Sequence, residues 1–278
     1  MNIIKEALTY RYERCKQALP KNAPTLYKEG AWTKKLSDND NVDEIFSNKN
    51  ASISIGYIGL YEAVSCIYGL NWENNEEAKN FSIEILKRMK KYADKWTNDQ
   101  NVWYSIYGTP SESLTNRFND LDREKFGVID GITDKEWYTN SFHYDVEKEI
   151  NPFDKLDFES VYEPYTSGGL IHYTEYPDVK NNLKAIETVW NYAYDKSMYL
   201  GTNCPIDKCF DCGFEGEFKA TEKGYECPNC GNNDASKCDV IKRICGYLGQ
   251  PSERPLNKGK QEEIIHRVKH IKSSQAID

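Results

Sequence analysis

Two short stretches, CFDC at 209–212 and CPNC at 227–230, constrain this chain more than any others. Two residues between thiols let one tight turn aim both sulfurs at a single point. Two such knuckles, separated here by 14 residues, supply a tetrahedral shell of four sulfurs, which suits Zn²⁺. Gly213 and Gly231 each follow the second thiol of their pair, where a residue able to take positive φ leaves backbone N–H groups free to face sulfur. With Cys209, Cys212, Cys227 and Cys230 all serving as ligands the shell is closed, so the expected role of the metal is structural rather than catalytic. An iron centre or a redox dithiol pair would use the same spacing. Cys15, Cys66, Cys204 and Cys238 have no comparable spacing, and Cys66, among apolar residues in AVSCIYG, reads as a reduced core thiol.

The metal module sits late in a chain of 278 residues, which is long enough for one large domain and a small appendage. Residues 204–238 are rich in Cys, Gly and short polar side chains. Before them, strand and helix patterns alternate. ASISIGYIGLYEAVSCIYG (51–69) passes from period two to helical spacing, NEEAKNFSIEILKRMKKYADKW (75–96) is an amphipathic helix, and VWYSIYGTP (102–110) is a strand with a turn. SESLTNRFNDLDREKFG (111–127) is a helix with Ser111 or Ser113 near its start. WYTNSFHYDV (137–146) and TSGGLIHYTEYP (166–177) read as strands, and 181–203 as a helix followed by a strand. This order predicts an α/β fold, a sheet or barrel with crossover helices, over residues 1–203. The Cys₄ module follows at 204–238, and a loop with a charged, helical tail at 239–278.

The net charge of −8 argues against a general nucleic-acid or membrane coat. No apolar run is long enough to span a bilayer, and MNIIKEALTYRYERC is too polar for a signal peptide. The expected location is the cytoplasm, where the nine cysteines are thiols or metal ligands rather than disulfides.

The tail DVIKRICGYLGQPSERPLNKGKQEEIIHRVKHI (239–271) closely resembles the C-terminal segment of anaerobic (class III) ribonucleoside-triphosphate reductases, which are glycyl radical enzymes. In that family an Arg and an apolar residue precede Cys-Gly-Tyr-Leu-Gly, with Arg-Pro downstream. Here these are Arg243, Ile244, Cys245, Gly246, Tyr247, Leu248 and Gly249, then Arg254 and Pro255. ASISIGYIGLYEA, YGTPSESLTNRF, TDKEWYTNSFH, NPFDKLDFE, SGGLIHYTEYP and YLGTNCPIDKCFDCGFEGEF resemble the same family in the same order, so the likeness covers essentially the whole chain.

The resemblance implies the C-terminal part of a reductase-type α/β barrel, with Gly246 as the store of an organic radical. A glycine suits that role because the radical centre spreads over the amide and carbonyl only if Cα is planar, and a side chain would crowd it. In the family an iron–sulfur activase that cleaves S-adenosylmethionine removes the hydrogen, and the radical then makes a thiyl on a cysteine that attacks the ribose. No cysteine here matches that thiyl position. Cys245 adjoins Gly246 but is not that residue by pattern. The resemblance therefore implies a split or truncated reductase that needs an N-terminal polypeptide bearing the thiyl cysteine and does not turn over alone. Its substrates would be ribonucleoside triphosphates, reduced to deoxyribonucleotides for DNA replication, and the oligomeric state, a homodimer among the options, stays open. Thr109, Ser111 and Ser113 are the candidate phosphate ligands at a helix start, and Tyr107 the candidate beside the ribose. His143 and His172 read as satisfied strand histidines, and Asn140 as a residue that orients a pocket. A stand-alone radical donor and a zinc-ribbon nucleic-acid module are the competing functions, and direct nucleic-acid binding is not expected from the acidic balance.

Overall fold

The computed structural model describes residues 1–47, 49–221, 224–244, 246–251 and 256–272, so Cys245, Arg254 and Pro255 lie outside the described residues. Its helices are α1 (Asn2–Lys16), α2 (Pro24–Tyr27), α3 (Asp43–Phe46), α4 (Leu60–Tyr68), α5 (Glu76–Gln100), α6 (Leu114–Phe126), α7 (Pro152–Ser160), α8 (Leu183–Tyr194) and α9 (Lys258–His266). The first four strands are β1 (Ser52–Gly56), β2 (Trp103–Tyr107), β3 (His172–Glu175) and β4 (Leu200–Asn203). The Cys-rich stretch and tail add β5 (Asp207–Cys209), β6 (Glu215–Gly216), β7 (Lys219–Thr221), β8 (Gly224–Glu226), β9 (Cys238–Asp239), β10 (Lys242–Ile244) and β11 (Tyr247–Gly249).

The chain divides into two units. The first holds Met1–Gly56, Ile83–Tyr107 and Pro164–Gly169. Its core is Tyr27, Leu36, Val42, Ile45, Phe46 and Ala51, with Trp32 set edge-on against Phe46 at 5.3 Å. Strands β1 and β2 pair in parallel, Ile53 opposite Tyr104, across the long helical connection that a parallel pair requires. Gly168 lies against this pair. Its N–H donates to Ile106 O at 2.6 Å, and a Cβ there would stand 2.8 Å from Ser105 Oγ. Helix α1 buries no residue completely.

The second unit holds Tyr57–Ser82, Gly108–Glu163 and Leu170–Asp278. Helix α7 starts by local chemistry: Asn151 Oδ1 accepts the N–H groups of Phe153 (3.0 Å) and Asp154 (2.9 Å), and Pro152 occupies the first turn. Strands β3 and β4 pair in parallel, His172 opposite Leu200, with α8 as the crossover. Leu156, Tyr176, Val179, Val189, Ala193 and Ile271 pack there as a core. Sheet β6-β5-β9, hairpin β7–β8 and hairpin β10–β11 follow.

The parallel pairs with helical connections place the chain in the α/β class, as the alternation predicts. A closed barrel is not formed among the described residues. Each of β1 to β4 is paired along one edge only, and closure needs a neighbour on both. Residues 137–146 also depart from the expected strand, with a single isolated bridge between Ile58 and Asn140. Residues 137–143 are buried throughout, and scattered partners rather than a ladder satisfy their backbone, among them Thr115 O for Tyr138 N–H (3.1 Å) and Asn140 O for His143 N–H (3.0 Å). Thr139 N–H donates to Glu62 Oε1 (2.8 Å), and Tyr144 N–H to Glu159 Oε1 (3.0 Å). Cys66 is exposed, not a core thiol. The buried stripe of α4 runs through Leu60, Tyr61, Val64 and Ser65, and position 66 falls off it.

Candidate functional site

The four predicted ligands converge. The Sγ atoms of Cys209, Cys212, Cys227 and Cys230 all lie within 4.8 Å of one another, Cys209 to Cys230 at 3.7 Å and Cys212 to Cys227 at 3.6 Å. A tetrahedron with Zn–S bonds of about 2.3 Å has edges of about 3.8 Å, so the donor set fits one Zn²⁺. The two knuckles are built alike. Gly213 N–H donates to Cys209 O (2.9 Å) and Gly231 N–H to Cys227 O (2.8 Å), with φ of +75° and +72° that favour glycine. Cys238, opposite Cys209 in the sheet, belongs instead to the small core of this module with Phe218 and Val240.

Asp207 joins the module to the hairpin β10–β11. It has no exposed surface. Its carboxylate accepts the N–H groups of Phe218 (2.8 Å) and Ile241 (3.0 Å) and pairs with Lys242. Lys242 opens the hairpin, whose strands are antiparallel with Ile244 facing Tyr247. Only Cys245 and Gly246 connect these strands. Gly246 is exposed, and its φ lies outside the left-handed range. The turn therefore does not demand glycine for backbone conformation. Among the described residues beyond its chain neighbours, a Cβ at this position would meet Pro110, at 3.0 Å from Cγ and 3.3 Å from its Cβ. Gly249 differs: a Cβ there would stand 2.5 Å from Tyr247 Oη, a packing reason for glycine.

Pro110 belongs to the hydroxyl-rich turn. Tyr107 closes β2 in the first unit and is partly exposed, whereas Thr109, Ser111 and Ser113 lie in the second. Ser111 is buried. Its N–H donates to Asn140 Oδ1 at 2.8 Å and its Oγ accepts Leu114 N–H at 3.2 Å, which starts α6. Ser113 occupies the N-cap position, exposed and without a side-chain cap bond. Gly108 has a steric reason, since a Cβ would lie 2.9 Å from Phe142 and 3.0 Å from Leu170.

A small cavity of about 40 Å³ lies in the same unit, lined among others by Pro110, Asn140, His143, Arg243, Arg267 and His270. One buried carboxylate, Glu159, holds two of its lining residues, Lys155 and His143. Glu159 accepts Lys155 Nζ (2.5 Å) and His172 Nδ1 (3.0 Å), and also contacts His143 Nδ1 at 3.1 Å. Burial opposes ionisation of Glu159, but Lys155 and His143 outweigh it and hold the carboxyl well below the usual range. Burial pushes His143 down. His172 is also penalised by burial, but the carboxylates of Glu159 and Glu163 raise it. His143, in the irregular segment, meets Glu159 through Nδ1; His172, in a strand, does so too, but its Nε2 stands 3.5 Å from Glu163 Oε2 without a hydrogen bond, so the expectation of a satisfied histidine fails there. Burial, aided by Lys155, takes His270 down to about 3. Sequence reasoning passed over Pro110, Asp207, Glu159 and Arg267, none of which carries a local spacing signal.

Among the described residues no helix is long and apolar enough to cross a membrane. The sequence model of a family described as anaerobic ribonucleoside-triphosphate reductase matches residues 1–270. The chain is 49% identical over 274 residues to the anaerobic ribonucleoside-triphosphate reductase of Escherichia coli strain K12, covering 98% of this chain and 38% of that protein. The Haemophilus influenzae enzyme of the same name is 50% identical, with 97% of this chain and 38% of that one covered. The enterobacteria phage T4 enzyme is 44% identical, with 97% and 43% covered. Among solved structures, an anaerobic ribonucleotide reductase is 25% identical with a TM-score of 0.62, covering 80% of this chain and 34% of that one. The Thermotoga maritima anaerobic ribonucleotide reductase with MES in the active site is 24% identical with a TM-score of 0.64, covering 91% and 39%, and speaks to the fold. The chain spans about two fifths of the length of these curated relatives. It belongs to the anaerobic ribonucleoside-triphosphate reductase family and corresponds to a C-terminal portion of its longer members.

Proposed function

We propose that this chain is the radical-storing part of an anaerobic ribonucleoside-triphosphate reductase, with Gly246 as the residue that holds the radical. The observation that carries this reading is the hairpin tip: Gly246 is glycine where φ does not require it, set against Pro110, whose Cγ lies 3.0 Å from where a Cβ would stand. A chemical role suits a glycine here, because an α-carbon radical is planar and delocalised only without a Cβ to crowd it. Pro110 sets this carbon beside the turn that carries Thr109, Ser111 and Ser113. These three are the proposed phosphate ligands at the start of α6, with Tyr107 near the ribose, and Asn140 fixes the turn through Ser111 N–H.

In this reading the fold completes a reductase-type barrel with the part of the protein that the longer relatives carry, which also brings the thiyl cysteine. The sequence divisions at 203 and 238 then separate barrel, metal module and radical loop. Cys209, Cys212, Cys227 and Cys230 would hold Zn²⁺, which supplies folding energy to the module. Asp207 passes that rigidity to the hairpin. The partners are a ribonucleoside triphosphate, the remaining reductase polypeptide and an iron–sulfur activase using S-adenosylmethionine, all in the cytoplasm.

The test is anaerobic EPR after incubation with the remaining reductase polypeptide, activase, S-adenosylmethionine and reductant. The native chain is expected to give a doublet that Gly246→Ala abolishes, and air is expected to cut the activated chain at Gly246. A doublet that survives Gly246→Ala would sink the assignment.

A further inference from the structure

The Gly246 hairpin is held at three levels. Asp207 takes its base, Pro110 meets its tip, and between them Arg267 takes its stem. Arg267 Nη1 donates to the Arg243 carbonyl of β10 at 3.2 Å and to Glu175 Oε1 at 3.0 Å, while Nη2 donates to Glu263 Oε1 at 2.7 Å. These acceptors belong to three elements: the hairpin, the end of β3, and α9. The site is built to hold the guanidinium still. Glu175 is itself fixed by Asn203 Nδ2 of β4 at 2.6 Å, and Glu263 also pairs with Lys260, which has no exposed surface. Just beyond Arg267, His270 N–H donates to Glu175 O (2.9 Å) and Glu175 N–H to His270 Nδ1 (3.0 Å), so the backbone carrying the arginine is fastened to β3. A planar fork with several donors can serve three acceptors at once, whereas an ammonium is a point charge.

We propose that Arg267 is a positioning residue for Gly246: it sets the hairpin stem against β3 and α9, and so sets where the Gly246 α-carbon stands for radical transfer. The inference rests on the radical reading above. In the transfer the S–H bond of a thiol on the remaining reductase breaks, a Cα–H bond of Gly246 forms, and the unpaired electron passes from carbon to sulfur. The hydrogen atom carries proton and electron together, so no further oxidant or base takes part. Such a transfer needs near contact, and a misplacement of about 1 Å costs on the order of 10²-fold in rate.

The test uses the reconstituted holoenzyme and reads two quantities, spins per chain by EPR and turnover per spin. Arg267→Lys keeps a cation between Glu175 and Glu263 but not the fork. It is expected to accept the radical with the native doublet, to leave KM for the nucleoside triphosphate unchanged, and to lose at least about ten-fold in turnover per spin. Arg267→Ala is expected to lose more. Should the alanine variant not fold, the lysine variant decides. Turnover per spin equal to that of the native chain would overturn the proposal, as would spins and turnover falling together, which marks a merely structural role. A missing doublet in the native chain, or one that persists in Gly246→Ala, overturns the radical reading instead, so the two failures are distinguishable.

Discussion

His270 accepts a backbone N–H at Nδ1, which requires a neutral ring, and burial with Lys155 nearby holds it neutral down to about pH 3. The unfolded chain protonates the same ring near its ordinary value of about 6.5. Between these values the unfolded state binds the extra proton, so stability is full above about 6.5 and is lost as pH falls toward 3. His270 alone is expected to remove about 2 kcal/mol between pH 7 and pH 5. Depressed His143 adds to this slope and raised His172 opposes it. Urea unfolding at the two pH values, compared with His270→Asn, isolates the share, and an equal slope in the variant would refute it. Glu159 makes a second residue-scale case. Glu159→Gln leaves Lys155, itself buried, without its counter-charge, and the expected loss is about 3–5 kcal/mol by chemical denaturation. Neither group could be read from the sequence, because a buried carboxylate and a solvated one look alike until the chain folds around them.

At the scale of elements, the knuckles and the long helices were legible, and for a local reason. Their information lies within a few residues: the C-x-x-C spacing with its following glycine, and the 3.6-residue apolar stripe of α5. The 137–146 segment was not legible, since its alternation suits a strand but, among its N–H partners, Glu62 and Glu159 come from other helices. The metal module carries the element-scale expectation. Metal analysis should find one Zn per chain, and Cys227→Ser should remove it and unfold residues 207–238, seen as lost amide protection there. A module that keeps its protection without metal would show that its small core of Phe218, Cys238 and Val240 suffices.

For the whole molecule, the thiols report the arrangement at once. Cys15 and Cys66 are exposed, and in the zinc-loaded protein they should react rapidly with a thiol reagent. Chelation, by unfolding residues 207–238, should then release five more, the four of the metal set and Cys238. An unreactive Cys66 would mean that the stripe of α4 is turned from the one described. By itself the sequence determined the ligand set, the α/β alternation and the family, since each is carried by residue type at short spacing or by likeness along the chain. Only the tertiary structure decided that Pro110 meets Gly246, that Asp207 binds the metal module to the hairpin, and that Arg267 spans hairpin, sheet and helix. Those contacts join residues two dozen to more than a hundred positions apart, except Arg267 with Glu263, 4 positions back in the chain. Distance along a chain says nothing of distance in space until the core has chosen which faces to bury.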